Sequence, residues 1–327
     1  MKQNKNKFIF HQNSFNYKNI IFLFSIIISF ITVFFISIFN NGLSFISSNN
    51  IVDETLLKTL VGFSVGFSLA ASGAAMQSVT RNELAGPTTL GFLPAASFGI
   101  IIYKIMDFPS IPLLILFAFI FAIFVLGVNF FACKINKNDL KGYKVILIGV
   151  IIGALFSSVS IILNTIVPKL NESIIPWLGQ VSIDYSWEKA VYTFPAMILG
   201  VLLIILISKK LNIVEKDPFL AKSLGVNIDQ IYWISGIASA LITVSSVILV
   251  GSIAMLGIVI PHLIRMLFKT RNYLVVTPLS GLLCGTIIMF SLMINSRWSV
   301  GPNFFATILS APVFIFLILR KGDNKND

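Results

Sequence analysis

Apolar residues run almost unbroken along this chain, and the polar positions fall between the runs instead of alternating within them. Ten such runs stand out: 20–39, 56–76, 90–105, 111–132, 143–167, 191–208, 232–249, 253–267, 274–295 and 304–319. A helix needs ~20 mainly apolar residues to cross a bilayer, whereas a barrel strand needs only ~9–11. The lengths therefore predict membrane-spanning helices and rule out a β-barrel, although the third and eighth runs are short. Breakers separate the runs, among them Asn40-Asn41-Gly42, Gly86-Pro87, Pro109, Pro168, Gly251-Ser252 and Gly301-Pro302. The pattern predicts an all-α polytopic integral membrane protein of ten transmembrane helices. Residues 1–327 form a single membrane-spanning domain, because no polar interruption is long enough for a soluble one.

Composition sharpens this reading. Of 327 residues, 56% are apolar and 11% charged, against ~25% charged in soluble domains, and the mean hydropathy is +0.92. A soluble enzyme and a disordered chain are excluded. The net charge of +11 would suggest nucleic acid, but its distribution says otherwise. With ten spans and the N-terminus inside, 19 of the 24 Lys and Arg fall on inner segments and five (Lys58, Lys104, Lys169, Lys189, Arg297) outside. The acidic residues divide almost evenly, so the bias lies in the basic residues, as the positive-inside rule requires. Both termini are thus expected in the cytoplasm, with inner segments at 1–19, 209–231 and 320–327. The basic start resembles a signal peptide, but its apolar run is long and lacks a small-x-small cleavage site, so it is read as the first span.

Chemistry is sparse. The chain contains no GxxxxGK[ST] and no HExxH, and its histidines are His11 and His262 alone. It therefore lacks a P-loop of its own, a zincin site and paired haem ligands. Cys133 and Cys284 lie apart in apolar surroundings and read as buried side chains. Every Asp and Glu falls in a loop or near a span end, which disfavours an ion-coupled carrier. Inside the spans the polar groups are small. Ser64, Ser68 and Ser72 share one helical face, and Ser235, Ser239 and Thr243 another. The pairs Gly62/Gly66, Gly149/Gly153 and Gly281/Gly285 suit close helix approach. Packing is the ordinary reading of such stripes. The serine face that continues into Gln77, Thr80, Arg81 and Asn82 is the candidate lining of a substrate path.

Two segments break the pattern. One reads SGAAMQSVTRNELAGPTTLG over 72–91, and the other GSIAMLGIVIPHLIR over 251–265, gathering Pro261, His262 and Arg265. Together they resemble the SGAxMQxxTRNPLAxPxxLG and GxIxFxGLIxPHxxR stretches of the permeases of iron-siderophore and vitamin B12 ABC importers. The segment from Asp217 to Val226 resembles that family's cytoplasmic A-x-x-L-G-V stretch. Trp177-Leu178-Gly179 and Ala311-Pro312-Val313-Phe314 also have counterparts, and the resemblance covers nearly the whole chain. Departures are Glu83 for a usual proline, Leu93-Pro94 for a small polar pair, and altered external stretches around Lys58 and Trp298–Gly301.

The resemblance implies a type II importer permease in a bacterial plasma membrane. It would pair with a second permease, identical or related, around a central path. ATP-binding subunits would sit on the cytoplasmic face, and an extracellular lipoprotein would deliver an iron-siderophore complex. The chain itself would bind no cofactor, ATP and Mg being used by the partner subunit, and would not be an enzyme. Asp217, Leu220, Ala221, Leu224 and Gly225 would form the ATPase-coupling segment, with Gly225 ending a short helix. Lys58 and Arg297 would dock the binding protein. Two rivals remain at this point: a carrier or channel acting without an ATPase, and a membrane scaffold without transport.

Overall fold

The computed structural model describes residues 17–39, 49–107, 110–134, 142–167, 186–253 and 255–298, with isolated positions beyond. The described residues are mostly helical, and no strand occurs among them. In chain order they form α1 (Tyr17–Phe39), α2 (Asn49–Thr80), α3 (Phe92–Ile105), α4 (Ile111–Lys134), α5 (Gly142–Ile166), α6 (Trp187–Lys216), α7 (Pro218–Ser223), α8 (Ile228–Val250), α9 (Leu256–Phe268) and α10 (Tyr273–Trp298). Nine of the ten expected spans coincide with a helix. The tenth lies almost wholly outside the described residues, as do the Trp177 stretch, most of the tail 1–19 and the tail 320–327. Cys133 and Cys284 are buried and unbridged.

Six of these helices, α2, α4, α5, α6, α8 and α10, are long and apolar enough to cross a membrane. By contrast α3 and α9 have 14 and 13 residues, about 20 Å at 1.5 Å per residue, too short to span ~30 Å of hydrocarbon alone. They rest instead on a partly buried turn (81–91) and on their longer neighbours. The segment 209–231, expected as a loop, is mostly helical. α6 runs on to Lys216, and α8 begins at Ile228. Hydropathy marks where a helix leaves the apolar region, not where its hydrogen bonding stops, and the end of α6 carries Lys209, Lys210, Asn212 and Glu215.

The bundle is organised around α2, which packs on α10, α8, α6 and α9. Its small residues permit this. Ala70, Ala71, Ala74 and Ala75 are fully buried, and a Cβ on Gly66 would lie 2.5 Å from the Gly285 Cα. On the facing surface, Phe67 fills the space over Gly281 and Phe63 the space over Gly285. Two of the three glycine pairs read from the sequence, Gly62/Gly66 and Gly281/Gly285, thus form a knob-and-hollow seam between α2 and α10, while Gly149 and Gly153 of α5 lie against Leu90 and Pro94. Such a seam gains dispersion energy where lipid offers no hydrophobic drive.

Crowding makes this seam intolerant. Gly66→Val should lower stability by about 1–3 kcal/mol, the usual cost of overpacking. Gly127→Ala serves as control, because a Cβ there meets nothing nearer than the Trp233 ring at 4.0 Å. Thermal unfolding in detergent would show a loss for the first variant and almost none for the second.

Candidate functional site

The end of the bundle that carries Arg81, Lys209, Lys216, Lys222, Lys269 and Arg271 gathers most of the distinctive chemistry. It is assembled from the end of α2, the turn 81–91, the end of α6, α7, α9 and the start of α10.

The turn closes on itself. α2 stops because Arg81 adopts a left-handed conformation, φ 51°. The amides of Arg81 and Asn82 bond back to the Ser78 and Gln77 carbonyls, both at 3.1 Å, the double closure of a Schellman motif. The Asn82 side chain then accepts from the Leu84 amide at 2.9 Å, an Asx turn. Thr89 Oγ1 accepts from the Gly86 amide at 2.9 Å and donates to the Leu84 carbonyl at 3.0 Å. Ala85, Gly86 and Pro87 are buried between helices, with Gly86 against Ile258 and Pro87 against Gly257 of α9. Buried Asn129 of α4 donates to the Leu90 carbonyl at 2.9 Å. A segment read as a turn at the membrane face is therefore a wedge set into the subunit.

Beside it lies a polar cluster built on Arg265, only 8% exposed. Pro261, inside α9, has no amide to give the Gly257 carbonyl, which loosens that turn of the helix. Gln77 reaches the opening and donates its Nε2 to the Ile258 carbonyl at 2.8 Å. Its Oε1 accepts from Arg265 Nη2 at 2.6 Å. Arg265 Nη1 donates to the Tyr273 hydroxyl at 3.0 Å, and the Glu215 carboxylate lies close enough to Tyr273 and Arg265 to interact with both electrostatically. Glu215 also faces Arg271 at 3.8 Å. Asn212 accepts from the Tyr273 amide at 2.8 Å and donates to Asn272 at 3.0 Å. Ser78 of α2 donates to the Leu211 carbonyl of α6 at 2.9 Å. Finally, His262 Nδ1 and Glu83 Oε2 stand 3.5 Å apart, joining α9 to the turn. Four helices and the wedge are thus tied at one level.

Just beyond Glu215, α7 projects as a separate short helix. Asp217 caps it by accepting from the Phe219 amide at 2.8 Å, and Pro218 occupies the first helical position. Its far end is a Schellman closure: Gly225, φ 76°, donates to Lys222, and Val226 donates to Ala221. Ala221 is buried and anchors the helix, whereas Phe219, Leu220 and Leu224 are 75%, 47% and 60% exposed. Among the described residues nothing covers the three large apolar side chains of this six-residue helix and its C-cap, which makes them a candidate contact surface.

The remaining candidates are placed differently from their expected path. Ser68, Ser72, Gln77 and Thr80 are buried inside the subunit, so they do not form an open lining. Ser68 and Thr80 bond to their own helix, at the Ser64 and Met76 carbonyls. Ser235, Ser239 and Thr243 are equally buried. The physical reason is that small hydroxylated residues suit close helix packing as well as they suit a wet face. Ser64 and Asn82 keep partial exposure, and Arg81 is exposed. Lys58 is half-buried on α2, and Arg297 lies in the last turn of α10, its side chain outside the described residues. Sequence reasoning missed Glu215, Tyr273, Asn212 and Asn272 as members of the cluster. Among the described residues no group of three or more His, Cys, Asp or Glu could hold a metal.

The model of the FecCD transport family matches residues 18–320. The chain belongs to this family. Among curated relatives, the probable haem-iron transport system permease protein IsdF of Staphylococcus aureus strain MSSA476 is 29% identical over 311 residues, covering 91% of this chain and 92% of the relative. The strain Newman protein is 28% identical, covering 85% and 84%. Among solved structures, a metal-chelate type ABC transporter in an inward-facing conformation superposes with a TM-score of 0.76 at 26% identity, covering 91% of this chain and 98% of that one. PsaBC of Streptococcus pneumoniae shares the fold, with a TM-score of 0.62 at 15% identity over 85% and 93%. This FecCD-family chain is a multi-pass membrane permease of the ABC importer type, as the motifs in 72–91 and 251–265 implied.

The left-handed Arg81 gives a direct test of the wedge. Arg81→Gly removes a conformational cost of about 1 kcal/mol and should raise the melting temperature. Arg81→Val, branched at Cβ, should lower it. Equal melting of both variants would mean that α2 does not end in this conformation.

Proposed function

We propose that this permease carries an iron chelate, a ferric siderophore or haem, across a bacterial plasma membrane in an ATP-driven importer. Two permeases enclose the path. ATP-hydrolysing subunits seat on α7, and an external binding protein docks near Lys58 and Arg297. The basic bias of one set of segments supports placing α7 and both termini in the cytoplasm. The curated relatives named for haem-iron transport and the metal-chelate transporter support the cargo class. The observation that carries the reading is α7 itself, whose exposed Phe219, Leu220 and Leu224 fit an apolar cleft on a partner. Asp217 and Gly225 set the ends of that helix. Arg81 and Asn82 border the inner end of the path, and Ser64, midway along α2, is the one serine of its face that keeps partial exposure. ATP supplies free energy because nucleotide binds one arrangement of the ATPase pair better than the other, and the coupling helices pass that difference to the permeases.

Reconstitution with the partner ATPase and binding protein in liposomes tests this reading. Uptake of radio-iron chelate should require ATP on the α7 side, and competition by unlabelled haem or siderophore should identify the cargo. Leu224→Asp should abolish ATPase capture while changing the permease's own stability by less than about 0.5 kcal/mol, as for other exposed positions. ATP-independent uptake by the permease alone would instead establish a carrier or channel.

A further inference from the structure

The polar cluster offers a transmission element that the motifs alone do not assign. We propose that Arg265, through Gln77 on one side and Tyr273 and Glu215 on the other, makes the coupling helix and the partly buried wedge 81–91 move as one body. The inference rests on the reading of α7 as the ATPase seat.

The geometry is continuous from one end to the other. α7 follows Glu215 after only Lys216 and Asp217, and the Asp217 amide bonds to the Ile213 carbonyl at 3.2 Å, so force on α7 is delivered to the end of α6. Three residues before Glu215 on α6, Asn212 accepts from the Tyr273 amide at the start of α10 at 2.8 Å, and the Glu215 carboxylate lies in the electrostatic field of the Tyr273 side chain. Tyr273 takes a hydrogen bond from Arg265 of α9, and Arg265 gives another to Gln77. Gln77 lies one turn before Arg81, and its carbonyl accepts the Asn82 amide that starts the wedge. A second tie joins α2 to α6 without Arg265, through Ser78 to the Leu211 carbonyl, and Glu83 of the wedge lies 3.5 Å from His262 Nδ1 of α9. The guanidinium fork holds two partners at fixed angles, which an ammonium cannot reproduce. A contiguous chain of hydrogen bonds between packed helices is a physical route by which a displacement at one end can reach the other.

Arg265 and Tyr273 are therefore positioning residues, and their signature is the ratio of cargo moved to ATP hydrolysed. The test uses the complete reconstituted importer with Tyr273→Phe, which keeps the ring and loses one hydroxyl, and separately Arg265→Lys. Complex assembly and ATP hydrolysis should persist in both. Cargo moved per ATP should fall by about three- to thirty-fold, the range for removing one link of a coupled network. Combining Tyr273→Phe with Glu215→Gln should add little further loss, since both break the same link. If wild-type importer transports, and either variant keeps the wild-type ratio or loses uptake only in proportion to lost complex, the inference is overturned. Should Arg265→Lys fail to assemble, Tyr273→Phe decides alone. Failure of wild-type importer to couple uptake to ATP would refute the reading of α7 instead.

Discussion

A guanidinium held away from water must find its hydrogen bonds within the protein, and the architecture of this permease at its basic end follows from meeting that demand for Arg265. Leaving out a neutral acceptor would leave a buried donor unmet at a cost of about 1–3 kcal/mol. Gln77 and Tyr273 supply the acceptors. To do so, α2 and α10 must sit beside α9 at fixed height, and Pro261 must open α9 for the Gln77 amide. Polar satisfaction thus sets the register of helices whose apolar surfaces would otherwise slide.

The middle of the bundle is held by a different force. There α2 and α10 approach through glycines, with Phe63 and Phe67 seated over Gly285 and Gly281, and contact is dispersive. Such a seam is stiff but has no preferred partner chemistry. The basic end, by contrast, carries α7, the wedge and the cluster within a few turns of one another. This division suits a transporter whose fuel is consumed by another chain: a rigid scaffold in the membrane, and at one end a body able to receive force. Glu83 stands where proline is usual in the resembling motif and places a carboxylate 3.5 Å from His262 Nδ1, an ion pair only when the imidazole is protonated.

The helices were legible because membrane spans are written in long apolar runs. The glycine pairs and the ending of α7 at Gly225 were legible because spacing and conformation leave few alternatives. Partnerships were not. Gln77 and Arg265 are 188 residues apart, and nothing in one sequence marks Tyr273 or Glu215 as the completing members. The serines of α2 were misleading for a physical reason, since a hydroxyl can bond its own helix carbonyl, as Ser68 does, and then behaves as a small packing residue. Helix ends were also obscured, because α6 continues past its apolar stretch on intrahelical bonds that hydropathy does not register.

The central claim is mechanical: the coupling helix and the wedge keep their separation while the importer changes state. Nitroxide labels at Ser223→Cys and Leu84→Cys, both exposed positions, placed in one permease of the assembled complex, would report that separation by pulsed electron resonance. The account predicts one narrow distance, the same without nucleotide and with ATP bound, while the distance between Ser223 labels on the two permeases shifts. A Ser223–Leu84 distance that changes or broadens when ATP binds would contradict it.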